Sequence, residues 1–345
     1  MPTSANPTAY GSITPTQAAY SSKELLKRAL PYLVLEQFGN MKPLPANNTR
    51  SIDFRRHKLP VPTSAAGFVL TEGTTPADQV ATMESYTLQL TQYGAVLSTT
   101  DVVQETHIDD VLKEYMGILG ENAGQVIELM RWAALTSEVS INVIFANGVA
   151  SEALITTALS KKELRNALRS VRANFGRPIS QIVKSDVRFG TQSCEPSYVA
   201  IMNSDLEGTI REQLGANFTP VADYGSSASP LQGEFGNFEN IRFISTALLG
   251  KRPNAGIAVG SAPTLLSDNA TNVNLYDVLV MASDAWVGVA LKGEFAVHPT
   301  MVNATPSDSD PLGQRRKCGY KTMQGAKVTQ PAHIKKIVCG ALKEA

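Results

Sequence analysis

Cysteine is scarce in this 345-residue chain: Cys194, Cys318 and Cys339, odd in number and widely spaced. That spacing argues against a disulfide framework or a zinc site and for free thiols in a reducing cytoplasm. Charge of either sign in excess is also missing. Lysine plus arginine and aspartate plus glutamate are both 31, a formal net charge of zero. A strongly basic nucleic-acid binder is thereby disfavoured, and little electrostatic protection against self-association remains. No apolar run approaches the ~18 residues that a membrane-spanning helix needs. Residues 1–20 have neither a basic start nor an apolar block, so they do not read as a secretion signal.

The motifs of common chemistry are missing as well. There is no GxxxxGK[ST] loop, no GxGxxG and no GxSxG elbow. The histidines, His57, His107, His298 and His333, never fall at helical ligand spacing, so each reads as structural or superficial. Glu72 with Asp78, and Asp308 with Asp310, read as solvated loop charges rather than catalytic carboxylate pairs. No internal repeat is present.

What is present is 43% hydrophobic residues, enough for two or three folded units with a real core. The chain is organised around residues 101–148. From Ile108 onward apolar residues step by threes and fours: Val111, Leu112, Tyr115, Met116, Leu119, Ala123, Val126, Ile127, Met130, Ala133, Ala134. The spacing predicts one amphipathic helix. Asp109 and Asp110 suit its positive N-terminal end, Thr106 or Asp109 can cap it, and Asn147-Gly148 can end it. Gly117, Gly120 and Gly124 predict the close approach of another backbone. Some forty residues give a rod roughly 60 Å long. A compact chain of this size has a radius of gyration of about 20 Å. Such a helix is either broken or part of an elongated molecule that neighbours must cover.

Taken in order, residues 1–20 read as a loose arm, followed by a helix capped at Ser21 or Ser22 and ended at Gly39-Asn40. Residues 51–58 and 86–93 alternate apolar and polar side chains around a Pro/Thr/Gly stretch. They predict a long antiparallel hairpin, marginal in water unless its apolar face is covered. A second unit opens with the capping box Ser160…Glu163. Strands are expected at 198–202, 241–244, 276–281 and 286–291, with a helix from the Asn203-Ser-Asp cap to Leu214. Residues 215–239 read as a loop, 299–313 as a polar linker, and 317–327 with 333–339 as closing strands. Two basic clusters stand out, Arg55-Arg56-His57-Lys58 and Arg315-Arg316-Lys317. Each is either a contact for an acidic partner or nucleic acid, or the solvated face of a strand.

The order of elements resembles the major capsid proteins of tailed bacterial viruses, the fold named after phage HK97, and within them the N4-like group. The resemblance is carried by Leu25-Leu26-Lys27-Arg28-Ala29, Glu36-Gln37-Phe38-Gly39, Lys42-Pro43-Leu44-Pro45 and Ile52-Asp53-Phe54-Arg55-Arg56. Further matching stretches are Leu70-Thr71-Glu72-Gly73-Thr74-Thr75-Pro76, Gln92-Tyr93-Gly94, Thr100-Asp101-Val102-Val103, Tyr198-Val199-Ala200-Ile201 and Asp310-Pro311-Leu312-Gly313-Gln314-Arg315. It implies an α+β fold in which 1–41 is an N-terminal arm and helix, 42–100 an extended β-hairpin loop and 101–152 a peripheral domain with a spine helix. Residues 153–290 would be a mixed axial domain, and 291–345 would return to the peripheral domain.

The implied function is a non-enzymatic shell subunit, made in the host cytoplasm, forming hexamers and pentamers of an icosahedral virion capsid around double-stranded DNA. No cofactor, metal or membrane is implied. The implied partners are copies of itself, portal and decoration proteins, packaged DNA, and a separate scaffolding protein, since no long scaffolding segment precedes the arm. Arg55, Arg56, Lys58, Glu72, Arg315 and Arg316 are the expected subunit-interface residues. The alternatives are a nanocompartment shell of the same fold and an α+β enzyme with an unrecognised site in 153–290.

Overall fold

In the computed structural model the described residues are 28 and 33–343, apart from 46–48, 59–60, 63, 71, 74, 76–77, 107–110, 139–141, 184–190, 225–229, 292–296, 303–305 and 307–310. The strands, in chain order, are β1 (Asn40–Leu44), β2 (Ser51–Lys58), β3 (Thr82–Gln89), β4 (Thr91–Thr100), β5 (Val143–Phe145), β6 (Ile179–Val183), β7 (Thr191–Asn203) and β8 (Thr219–Pro220), then β9 (Glu234–Phe238), β10 (Ile241–Thr246), β11 (Lys251–Arg252), β12 (Leu275–Met281), β13 (Trp286–Leu291), β14 (His298–Val302), β15 (Arg315–Val328) and β16 (Ile334–Cys339). The helices are α1 (Asp101–Thr106), α2 (Val111–Thr136), α3 (Lys161–Ala173) and α4 (Leu206–Leu214).

Three sheets result. One holds five strands, ordered β1-β13-β15-β14, with β4 on the other edge of β15. A second holds nine, ordered β5-β16-β12-β7-β10-β9-β8, with β11 on β12 and β6 on β7. The third is the two-stranded ribbon β2-β3. The mixed α+β class expected from the sequence is what is found.

β12 is buried along its whole length, which is why it reads as a continuous apolar run rather than an alternation. In β7 the pleat divides the work. Tyr198, Ala200 and Met202 face α3 and α4, whereas Val199 and Ile201 join the cluster of Trp132, Leu135 and Trp286. The capping box at α3 forms as expected, with Ser160 accepting from Lys162 N and Glu163 reaching back to the cap backbone.

α2 is shorter than its sequence pattern suggests: 26 residues, about 39 Å, rather than roughly 60 Å. It stops at Thr136, whose hydroxyl donates to the Trp132 carbonyl at 2.9 Å. Beyond it Val139, Ile141 and Val143 alternate with polar residues, and β-branched side chains at period two form a strand. β5 accordingly pairs in parallel with β16. Asn147 and Gly148 do adopt left-handed backbone, φ 58° and 68°, but after a 3-10 turn rather than at a helix end. The expected caps at 107–110 and most of the 21–32 helix lie outside the described residues. Gly117 faces the guanidinium of Arg28, not a backbone: a Cβ there would sit 2.6 Å from Nη1. Arg28 itself pairs with Glu114 and Glu121 of α2 at 3.3 and 3.7 Å.

Other segments depart from the reading above. Within 215–239, read as a loop, β8 and β9 form because Phe218 and Phe235 pack on Phe243 at ring separations of 5.6–6.3 Å. The expected linker at 299–313 begins instead with β14, which pairs with Lys317–Lys321 of β15. The two closing strands do not pair with each other: β15 belongs to the five-stranded sheet, β16 to the nine-stranded one. Only 82–89 of the expected second hairpin arm pairs with β2, and from Thr91 the chain passes into the five-stranded sheet. Lys42–Leu44 likewise lies in that sheet, parallel to β13.

Gly39 has an extended backbone, so its smallness is needed for space. A Cβ there would lie 2.4 Å from the Trp286 ring. Gly39→Ala is expected to lower stability by about 1–3 kcal/mol through overpacking, read as a fall in thermal unfolding temperature; an unchanged temperature would contradict the packing described.

Candidate assembly surfaces

The ribbon carries most of the expected interface residues, and its pleat sorts them. Ile52, Phe54 and Arg56 turn inward while Asp53, Arg55 and His57 are exposed. Ile52 and Phe54 pack on Leu44, Leu88, Leu90, Val287 and Val289, so the root of the ribbon rests on its own subunit. Arg56 follows them. Its guanidinium donates to Glu84 at 2.5 Å, to the Tyr86 hydroxyl at 3.0 Å and to the Thr329 carbonyl at 3.3 Å. Lys58 donates to the other oxygen of Glu84 at 2.9 Å. Donors from Lys58, Tyr86 and Arg56 together hold the Glu84 carboxyl down at about 2. The first basic cluster is therefore two things: Arg56 and Lys58 clamp the ribbon internally, and Arg55 and His57 face solvent. Glu84 and Tyr86 were not singled out in the sequence, although their alternation in β3 opposite β2 is legible there.

Past the root the ribbon is bare. Val61, Phe68, Leu70, Val80 and Met83 are exposed, and Val69 is 76% exposed. Glu72 sits among them, exposed, in the turn whose Gly73 takes φ 77°. A connected apolar surface of this kind on a soluble chain marks an interaction site. Arg315 and Arg316 lie elsewhere, at the start of β15, in register with Thr100 and Thr99 of β4. The structure therefore does not bring the two basic clusters together. Asp308 and Asp310 lie outside the described residues.

Sequence reading missed a buried polar network on α2. Glu128 is fully buried, and one oxygen accepts from Val34 N at 2.8 Å and Leu35 N at 2.6 Å. Arg131 lies 3.8 Å from it and reaches Glu36 at 3.1 Å and Gln324 at 3.4 Å. The signal was present, since 128 and 131 fall on the helix's apolar stripe. The network ties the segment entering β1 to α2 and β15. Burial pushes the Glu128 carboxyl up to about 7, against the opposing pull of Arg131 and the two backbone N–H groups. Among the described residues no three His, Cys, Asp or Glu are placed to hold a metal, and no helix is long and apolar enough to cross a membrane. Cys318 and Cys339 are buried free thiols.

Two predictions follow from this geometry. Arg56→Ala is expected to cost about 1–2 kcal/mol and to speed limited proteolysis of the ribbon, whereas Arg55→Ala changes neither; equal effects would refute the split. A carboxyl raised in the folded state binds protons that the unfolded chain has released, so its contribution is present below about pH 4.5 and lost as pH rises through 7. Glu128→Gln should flatten the decline of unfolding temperature over that window; an unaltered slope would exclude Glu128 as its source.

Comparison with known proteins bears on what these surfaces serve. Residues 84–331 match the family described as phage capsid protein. None of the curated proteins matches the chain. Among solved structures, the capsid of Ralstonia phage GP4 is similar over 90% of this chain and 91% of that one, at 13% identity and TM-score 0.67. The capsid of cyanophage P-SCSP1u is similar over 89% and 88%, at 14% identity and TM-score 0.58. The head of Helicobacter pylori bacteriophage KHP40 is similar over 88% and 87%, at 13% identity and TM-score 0.56. At such identity the likeness is one of fold, but the family match spans most of the sequence. The chain belongs to the phage capsid protein family, the structural subunits that self-assemble into the shell of a virion.

Proposed function

We propose that this capsid subunit is a tailed-phage major capsid protein of the HK97 fold and the N4-like group, building hexamers and pentamers of an icosahedral shell around double-stranded DNA. The observation that carries the reading is the ribbon: clamped to its own subunit at Arg56 and bare at Val61, Phe68, Val69, Leu70 and Val80. Apolar surface left open at the end of a rigid lever is covered when copies pack side by side. The division into arm (1–41), extended loop (42–100), peripheral (101–152 and 291–345) and axial (153–290) parts is proposed on the same basis, with β1, β4 and β13 as shared structural ground.

Arg55, Glu72, Arg315 and Arg316 are proposed to meet neighbouring copies, with Arg56 and Lys58 acting on the interface through the set of the ribbon. Scaffolding, portal and decoration proteins are the further partners proposed. Zero net charge fits a container that needs few phosphate contacts because small cations neutralise most of the DNA. The subunit is proposed to have no catalytic role. The family match favours a viral shell over a nanocompartment.

Purified chain is expected to sediment as rings or shells in the megadalton range, visible by negative-stain microscopy; a stable monomer at all concentrations would overturn the reading. Removing residues 61–80 is expected to block shell growth while leaving the nine-stranded unit folded by circular dichroism. Shells of ordinary size from that variant would remove the ribbon from the interface.

A further inference from the structure

Where the ribbon root passes the end of α3 there is an open cavity of about 750 Å³, lined by Arg56, Lys58, Val61, Phe175, His333 and Lys335 among others. Two of these residues are placed at a cost that the subunit's own fold does not repay. Lys335 is 2% exposed, in β16 opposite Val280, and among the described residues no carboxylate pairs with it and no hydrogen bond reaches its ammonium. Burial pulls its pKa below the ordinary lysine value. A buried unpaired cation is strongly unfavourable unless a partner arrives.

Phe175 is the second. It follows the C-cap Asn174 with φ 59°, left-handed backbone that glycine or asparagine normally occupies at that position. The glycine stands one residue later, where a Cβ would lie 2.5 Å from Val171 Cγ1. The phenyl ring gains nothing in return within the subunit, being 71% exposed at the cavity's rim. An aromatic held out at backbone cost beside an unpaired ammonium describes a receptor for something both apolar and acidic.

The same chain displays such a segment. Between Lys58 and Lys113 there is no lysine or arginine. The ribbon tip offers exposed Phe68, Val69 and Leu70 followed by exposed Glu72 and Asp78. Its exposure shows that it does not fill the cavity of its own subunit. We infer that the tip of one copy docks in the α3–β16 cavity of a neighbouring copy, its apolar residues against Phe175 and Val61 and its carboxylate on Lys335. The inference rests on the shell reading above and adds the receptor to it.

The test uses full-length chains, each carrying one new cysteine: Leu70→Cys in one preparation and Phe175→Cys in the other. Co-assembled and mildly oxidised, they are expected to give a covalent dimer that neither preparation gives alone and that vanishes when the shells are dissociated first. Shells without that dimer, with Val69→Cys and Glu72→Cys also negative, overturn the inference and leave the shell reading intact. If the unmodified chain forms no shells, the shell reading fails and the inference with it. Independently, Lys335→Met keeps the stem and removes the charge. The subunit's unfolding temperature is expected to hold or rise, because a buried charge is replaced by an apolar isostere. The concentration needed for assembly is expected to rise about tenfold. A lowered unfolding temperature with unchanged assembly would make Lys335 a structural residue and sink the proposal.

Discussion

The ladder between β4 and β15 is the constraint on which the molecule depends. Ten residues on each side, Thr91–Thr100 against Arg315–Gln324, pair without a break across more than two hundred residues of sequence. That pairing fixes where the ribbon leaves the body, because β3 runs into β4 through Leu90 alone. It also builds the surface on which α2 lies: Met116, Leu119, Ala123 and Ile127 pack on Cys318 and Tyr320, and the Tyr320 hydroxyl donates to Asn122 at 2.8 Å. Without β15 in place, the helix has no floor and the ribbon no direction.

Charge is handled differently at the two ends of this frame. On α2 the Glu128–Arg131–Glu36 network is buried and joins three elements distant in sequence. Such a network contributes little net stability over an apolar packing, but it is strongly position-specific, because any shift strands a buried charge. At the ribbon root the Arg56–Glu84–Lys58 cluster is half exposed, so its value lies in geometry: it joins β2 to β3 and, through Thr329, to the body. A ribbon held in this way behaves as a lever rather than a tether. That suits a shell subunit, whose contacts must recur with the same orientation in every copy.

Much of this was legible in the residues. The period of α2, the capping box of α3, the alternation of β2 and the apolar run of β12 each follow from local pattern, because local pattern is what nucleates those elements. The misreadings share a cause. β9 and β14 are short strands whose side chains look loop-like, and they exist because Phe243 and β15 offer them partners. The length of α2 was overestimated because Val139, Ile141 and Val143 satisfy both a helical and an alternating template until β16 supplies an edge. At the site, Arg55-Arg56-His57-Lys58 read as one basic cluster, and only the pleat against β3 separates the clamp from the solvated face. Lys335 was invisible, one lysine beside another in an apolar strand.

The sequence by itself determined the class of the protein: an α+β chain with one dominant helix, one hairpin without enough of its own core, no chemical motif and no net charge. Those are properties of composition and period, and they hold wherever the chain goes. The tertiary structure alone decided which strands share a sheet, which charges neutralise one another and which stay open. Each of those depends on contacts between residues far apart in the chain, and side-chain periodicity carries no information about which distant partner will arrive.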